Sequence, residues 1–324
     1  RNSGLTDGHR TARWPCRRPA PRGTVDSMGG ADSMRSEPAG MSTTAADALL
    51  AWGEPRLRDL PWRAVRDRWQ ILVAEVMLQQ TQVVRVIDRW ARFLGRFPDP
   101  TSCAAASIGD VVAEWSGLGY NRRAVYLHRA AETVVERHEG VVPGILEDLL
   151  SLPGVGPYTA RAVLAFADGA DVGIVDTNVA RVLARWSGRR LRPTEVQAMA
   201  DASVPFGLGW TWNQTLLDLG AVVCRARNPA CTDCPIREGC SWRGRGDDPA
   251  VGSAGVGGRQ ARFEGSDRQG RGRLVATLAE GPVDADHLPS VMGWRDDPAR
   301  AQRVAAGLVA DGLAVTDGGR WSLP

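Results

Sequence analysis

"LPGVGPYTARAVLAFA", residues 152–167, is the stretch whose reading decides the fold. Gly154 and Gly156 separate the apolar segment "ILEDLLSL" from a second helix that begins near Pro157. Glycine permits a tight turn there. The turn leaves backbone N–H groups open at a helix N-terminus, where they bind a phosphate oxygen without reading base sequence. An ordinary helix–helix turn built on glycine and proline accounts for the same residues, so the rest of the chain has to decide.

Outward from this hairpin, residues 44–242 are dominated by helical periodicity broken by Gly and Pro, with almost no alternating strand pattern. The expected class is all-α. The chain has 324 residues, 43% hydrophobic and 24% charged, ample for one large or two ordinary domains. No stretch approaches the roughly 18 to 20 apolar residues needed to span a bilayer. The net charge of +3 is too small for a global field, so any nucleic-acid role must come from local arginine clusters. All 40 basic residues are arginine, which excludes any mechanism built on a lysine Schiff base.

The expected organisation has five parts. Residues 1–43, rich in Arg, Pro, Gly and Ser and without a signal-peptide apolar stretch, read as a disordered extension. A helical domain over 44–223 leads into a cysteine loop over 224–242. A glycine-rich flexible linker over 243–270 follows. Residues 271–324 read as short helices and a hairpin with Asp-Gly-Gly at its turn, the order of a winged-helix-like module.

Two carboxylates stand out. Glu75 sits inside the apolar run "ILVAEVMLQQTQVV", one helical turn from Ile71 and Leu72 and one turn before Leu78 and Gln79. An ionised carboxylate moved into an apolar pocket must find partners or raise its pKa and become a proton donor. Asp176 in "VGIVDTNVARVLARW" precedes a helix carrying Val179, Val182, Leu183 and Trp186 at helical spacing, the position of an N-cap. The helix terminus and Arg181 are expected to hold it ionised, opposite in tendency to Glu75. Such a divided pair suits glycosidic cleavage: one acid protonates the leaving group, and one anion stabilises an oxocarbenium-like sugar. The two lie a hundred residues apart, so spacing alone does not bring them together.

"CRARNPACTDCPIREGC" sets Cys224, Cys231, Cys234 and Cys240 in the pattern C-x6-C-x2-C-x5-C. Four thiolates in one short loop suit zinc or a [4Fe–4S] cluster, and the uneven spacing favours the cluster. With all four positions cysteine, a structural or DNA-sensing role fits better than substrate chemistry. "GLGY", residues 117–120, is a second Gly-bounded turn, with Tyr120 beside Arg122 and Arg123. Its aromatic suits either a wedge in a base stack or a place in the core.

With these motifs assembled, the chain resembles the helix-hairpin-helix DNA glycosylases of the endonuclease III superfamily, and within them the adenine-removing MutY branch. The resemblance covers roughly residues 45–242 and rests on "LPWR", "EVMLQQTQV", "GLGY", "LPGVGPYTA", "VDTNVARVLAR", "NQTLLDLGAVVC" and the cysteine loop. It implies two helical subdomains with DNA across their cleft and a nucleotide flipped into a pocket between them. It implies that Glu75 protonates the departing adenine and that Asp176 stabilises the cationic sugar. Tyr158 and Asn178 then line the pocket, Gln214 faces the adenine, and Gln82 and Tyr120 probe the stack around the opposing base. Trp62, Arg63 and Gln79 are further candidates for substrate or DNA contact, beside Gly154 and Gly156. The four cysteines would hold a [4Fe–4S] cluster.

The resemblance further implies a monomer acting on double-stranded DNA with adenine mispaired with 8-oxoguanine or guanine, in the cytoplasm at the nucleoid. Strand-nicking relatives carry a lysine where Tyr158 stands, so a monofunctional enzyme that leaves an abasic site is expected. There are two departures: residues 271–324 are too few for the Nudix-like domain many MutY relatives carry, and Asn121 replaces a frequent second aromatic after "GLGY". Two other functions fit the same motifs. One is a related thymine glycosylase acting on T·G mismatches; the other is a non-catalytic iron–sulfur DNA-binding regulator.

Overall fold

The structure, a computed structural model, describes residues 40–256 and 262–324. The extension expected to be disordered lies outside the described residues up to residue 39. All described residues belong to one compact unit, Glu37–Pro324.

The helices run α1 (Thr43–Gly53), α2 (Arg68–Leu78), α3 (Val83–Arg96), α4 (Pro100–Ala104), α5 (Ile108–Glu114), α6 (Arg122–His138), α7 (Leu146–Ser151) and α8 (Pro157–Ala167). After them come α9 (Thr177–Ser187), α10 (Pro193–Ser203), α11 (Gly209–Val222), α12 (Asp267–Leu278), α13 (Leu288–Met292) and α14 (Pro298–Ala310). Local chemistry sets several starts. Asp67 accepts from the Gln70 N–H at 2.8 Å ahead of α2, and Asp176 accepts from the Val179 N–H at 2.7 Å ahead of α9. Pro157 occupies the first turn of α8, where its missing N–H costs nothing.

Two apolar cores divide the unit. In one, Met41, Ala45 and Leu49 of the N-terminal segment pack with α9, α10 and α11 and with Ile236 of the cysteine loop. The other is built from α2 to α8 and continues without a break into α12, α13 and α14. The chain therefore enters the fold earlier than expected: Met41 is buried and its N–H donates to Ser203 Oγ at 2.9 Å.

Short strands β1 (Val283–Asp284), β2 (Val315–Asp317) and β3 (Arg320–Ser322) form an antiparallel sheet in the order β1-β3-β2, with Trp321 opposite both Val283 and Thr316. The β2–β3 turn is Gly318-Gly319, both at positive φ (54° and 84°), which explains the glycines.

The stretch expected to be a flexible linker over 243–270 differs from that expectation at both ends. Up to Val256 it folds back on the helical core: Asp248 pairs with Arg185 at 2.6 Å, and the Ala254 N–H donates to the Leu191 carbonyl at 2.9 Å. Its glycines supply tight turns, Gly244, Gly246, Gly252 and Gly255 all having positive φ. At the far end α12 begins at Asp267, capped by Ser266, inside the range assigned to the linker. No helix among the described residues is long and apolar enough to cross a membrane.

Candidate active site

Helix α2 buries every residue from Ile71 to Met77, and Glu75, 3% exposed, is among them. Its carboxyl opens on a cavity of about 750 Å³ between the two cores, lined also by Tyr158 of α8, Asp176 and Asn178 at the start of α9, and Gln214 of α11. Trp62, Arg63, Gln79 and Gln82 border the same cavity. Nine of the candidate residues, drawn from five separate segments, thus meet in one place.

The electrostatics follow from that enclosure. Burial raises Glu75 from 4.5 to about 7; the Tyr158 hydroxyl opposes the shift, Asp176 adds to it, and Arg63 opposes it from a distance. One carboxyl oxygen, Oε2, has no hydrogen-bond partner among the described residues. Tyr158 is pushed well above its usual pKa, mainly by burial and then by the two carboxylates, so its hydroxyl keeps its proton.

Asp176 corrects an expectation. Its oxygens accept from the Val179 N–H at 2.7 Å and from the Asn178 amide at 2.9 Å, and Asn178 in turn accepts from Arg181 at 2.8 Å. These contacts lower its pKa as anticipated, but desolvation is larger, and the net shift is upward. Arg181 is itself committed elsewhere, to the Gly220 carbonyl at 2.6 Å and the Cys224 carbonyl at 2.8 Å. The two carboxylates are therefore shifted in the same direction.

Arg63 also differs from a surface contact residue. It is 8% exposed and makes a bidentate pair with Asp218 of α11, at 2.8 and 2.9 Å, while Arg58 donates to the same carboxylate at 2.6 Å. Burial alone would raise Asp218, yet these guanidiniums outweigh it and hold the group below the usual range. Arg63 thus ties the "LPWR" turn to α11 and floors the cavity.

The hairpin lies nearby. At Gly154, with φ 78°, an added Cβ would stand 2.6 Å from the Tyr126 Cβ, so glycine is required both by conformation and by close approach. Gly156, the N-cap of α8, has open space where a side chain would be. Gln79 donates to Thr159 Oγ1 at 3.2 Å, joining the end of α2 to α8. Tyr120 does not line the main cavity; with Gly154 it borders a second, of about 600 Å³, against α12.

Sequence reasoning missed how this frame is braced. Arg123, taken as a cation beside Tyr120, is buried and donates to the carbonyls of Val76 at 2.6 Å, Met77 at 2.9 Å, Gln79 at 2.7 Å and Gly119 at 2.8 Å. It caps the C-terminus of α2 and fastens it to the "GLGY" turn. Gly220 was also missed: a Cβ there would lie 2.6 Å from the Asn178 Cβ, so its absence lets α9 and α11 touch beside Asp176. Asp218 did carry a signal, a carboxylate within the apolar run "TLLDLGAVV", the same signal that marked Glu75.

The four cysteines surround one small apolar cavity, closed by Val182, Trp186, Leu219 and Ile236. Arg185 fastens the loop, donating to Cys224 Sγ at 3.3 Å and to the Arg225 carbonyl at 2.7 Å. Among the described residues, no three His, Cys, Asp or Glu side chains converge closely enough for a metal ion. Four free thiols lining one cavity are a donor set that fits the sulfur ligation of either a zinc ion or an iron–sulfur cluster.

Comparison with known proteins agrees with this geometry. Residues 73–206 match the family described as HhH-GPD superfamily base excision DNA repair protein. An adenine DNA glycosylase of Mycobacterium tuberculosis is 43% identical over 286 residues, covering 85% of this chain and 92% of the relative. The adenine DNA glycosylase of Mycolicibacterium smegmatis is 40% identical over the same length, covering 85% and 94%. Among solved structures, a thermostable thymine-DNA glycosylase superposes with a TM-score of 0.58 at 28% identity, covering 61% of this chain and 94% of that one. A non-covalent endonuclease III–DNA complex superposes with a TM-score of 0.55 at 23% identity, covering 61% and 93%, a likeness of fold. With near-complete coverage of relatives at this identity and the helix-hairpin-helix frame around the cavity that holds Glu75 and Asp176, the chain belongs to the adenine DNA glycosylase family of the HhH-GPD superfamily.

Proposed function

We propose that this protein is a monofunctional adenine DNA glycosylase of base excision repair, removing adenine mispaired with 8-oxoguanine or guanine. The observation that carries the reading is a buried carboxyl, Glu75, with a pKa of about 7, sharing a cavity with Asp176 and Tyr158. The cavity's volume of about 750 Å³ accommodates a nucleotide turned out of the duplex.

In this mechanism protonated Glu75 donates to a ring nitrogen of adenine as the bond from C1′ to the base breaks, and the bonding pair leaves with the base. Asp176, oriented by Val179 and Asn178, stabilises the cationic sugar. Water adds its hydroxyl to C1′ and returns a proton to Glu75. Tyr158, Asn178 and Gln214 shape the pocket and face the base. Tyr158 offers no amine, and the chain contains no lysine, so the product is an abasic site in an unbroken strand.

The other parts follow the same reading. The backbone at Gly154 and Gly156 with the N-terminus of α8 would grip a phosphate, while Gln82 and Tyr120 would meet the opposing strand. Cys224, Cys231, Cys234 and Cys240 would hold a [4Fe–4S] cluster, which when bound ties the loop together beneath α9. Residues 267–324, from the start of α12, form the winged-helix-like module, a monomer is the working unit, and the cell's DNA compartment is the expected location.

Single-turnover excision by cluster-loaded protein tests this on duplexes with adenine opposite 8-oxoguanine, adenine opposite guanine, and thymine opposite guanine. Adenine loss visible as a break only after alkali, and lost in Glu75→Gln, is the expected result. Thymine loss without adenine loss would replace the reading with the mismatch-thymine one, and tight binding without excision would replace it with the regulator.

A further inference from the structure

One wall of the cavity that holds Glu75 and Asp176 comes from beyond the cysteine loop. Gly255 borders it, together with Val175, Asp176 and Thr177. Gly255 has a positive φ of 76°, and a Cβ there would stand 3.0 Å from the Ala180 Cβ and 3.8 Å from Val175 Cγ1. Those two residues flank Asp176: Val175 precedes it, and Ala180 lies one turn later, on α9. The backbone at Gly255 thus closes on the start of α9 at a spacing and an angle that suit glycine.

The approach is held from the other side. Ala250 and Ser253 are buried, and Ser253 Oγ accepts from the Leu191 N–H at 3.1 Å and donates to the Pro249 carbonyl at 2.7 Å. The Ala254 N–H donates to the Leu191 carbonyl at 2.9 Å, so Leu191 engages this strap through both of its backbone groups. Ala254 and Val256 pack on the core of α9, α10 and α11. Glycine-rich chain left to itself is a random coil. Here it is pinned just before the point at which it reaches the cavity.

We propose that Ser253 and Gly255 are positioning residues for base excision: the pinned strap walls the cavity beside Asp176 and seats the sugar of the extruded nucleotide against that carboxylate. This rests on the adenine glycosylase reading above. In that reading Glu75 of α2 and Gln214 of α11 take the base side, while Gly255 stands at the start of α9, where the cationic sugar is stabilised. A backbone wall suits the role. It brings no titratable group beside Asp176, excludes water from the anion, and holds the sugar within about 0.5 Å of the productive position. The duplex is gripped elsewhere, at Gly154 and Gly156, so a loosened strap weakens the hold on the sugar cation and spares general DNA affinity.

The test uses the whole, cluster-loaded chain, with Gly255→Ala and Ser253→Ala. Affinity is measured for two duplexes that differ only at the extruded position: a neutral tetrahydrofuran abasic analogue, and a cationic pyrrolidine analogue that mimics the charge developing on the sugar. Single-turnover excision of adenine opposite 8-oxoguanine is measured beside them. The parent is expected to prefer the pyrrolidine duplex. Gly255→Ala should lose about tenfold in excision and about tenfold in that preference while keeping its tetrahydrofuran affinity. Ser253→Ala, which leaves Gly255 in place and frees only its anchor, should lose about threefold in both. Should Gly255→Ala not fold, which its melting curve shows, Ser253→Ala decides. No preference in the parent, an unchanged preference, or an equal loss on both duplexes in a variant that melts like the parent overturns the proposal. A parent that excises no adenine yet prefers the pyrrolidine duplex, with variants that lose the preference, leaves the strap assignment standing while the activity assignment falls.

Discussion

In the proposed mechanism Glu75 sets the pH behaviour of the chemistry. Its carboxyl must be protonated to donate, and its folded pKa is about 7, so the single-turnover rate should fall as pH rises through 7. A pH–rate profile checks this, and a rate that keeps rising to pH 9 would remove Glu75 as the acid. Stability has the same sign. Between roughly pH 4.5, the unfolded value, and pH 7 the folded state holds a proton that the unfolded state releases, so Glu75 lowers stability progressively as pH rises across that window. Glu75→Gln removes an ionisable group from an apolar site. Its melting temperature relative to the parent should therefore be higher at pH 8 than at pH 4. Activity of that variant should drop by about 10² to 10⁴. Glu75 stood out in sequence as a charge in an apolar run, Asp176 as an N-cap before a helical pattern, and the four cysteines by their spacing within one short loop. The upward shift of Asp176 was not, since it depends on how much water the folded cavity excludes.

At the level of elements, close approaches decide the site's geometry. Helices α9 and α11 meet at Asn178 and Gly220, and a methyl group at Gly220 would collide with the side chain that orients Asp176. Gly220→Ala should cost about 1 to 3 kcal/mol in denaturant unfolding and slow excision disproportionately to its effect on DNA affinity. Unaltered excision would mean that the α9–α11 spacing is not critical. Arg123 braces the end of α2 against the "GLGY" turn through several carbonyl contacts, and burial lowers its pKa to about 10. Arg123→Ala leaves those carbonyls unpaired, so a loss of about 3 kcal/mol or more is expected by chemical denaturation. A loss below 1 kcal/mol would show that water replaces it. The helices themselves were legible from periodicity and caps, such as Asp67 before α2 and Asp176 before α9. The brace was invisible, because Arg123 reaches carbonyls more than forty residues away in sequence.

Across the whole molecule, the continuous core makes the C-terminal module part of the catalytic unit. Leu274, Leu278, Leu308 and Trp321 share one apolar cluster with Phe93, Trp115 and Val125. A chain ending at Val256 should therefore expose much of that face and melt several degrees lower, with increased dye binding to apolar surface. Equal melting temperatures would mean that the module only rests on the surface. The glycine-rich segment had suggested a loosely tethered appendage. Its first part is instead anchored by Asp248 on Arg185 and by Ala254 on Leu191.

The amino-acid sequence alone determined the helical class, the hairpin at Gly154–Gly156, the acidic residues and the cysteine loop. Each depends on a local spacing or on a charge set in an apolar run, and such signals survive without coordinates. Tertiary structure decided that Glu75, Asp176 and Tyr158 share one cavity, that Arg63 and Arg123 are structural braces, and that Arg268 meets Tyr120. Those facts arise from contacts across 44 to 155 positions of chain, where solvent exclusion and close packing rather than neighbouring residues set a group's charge and partner.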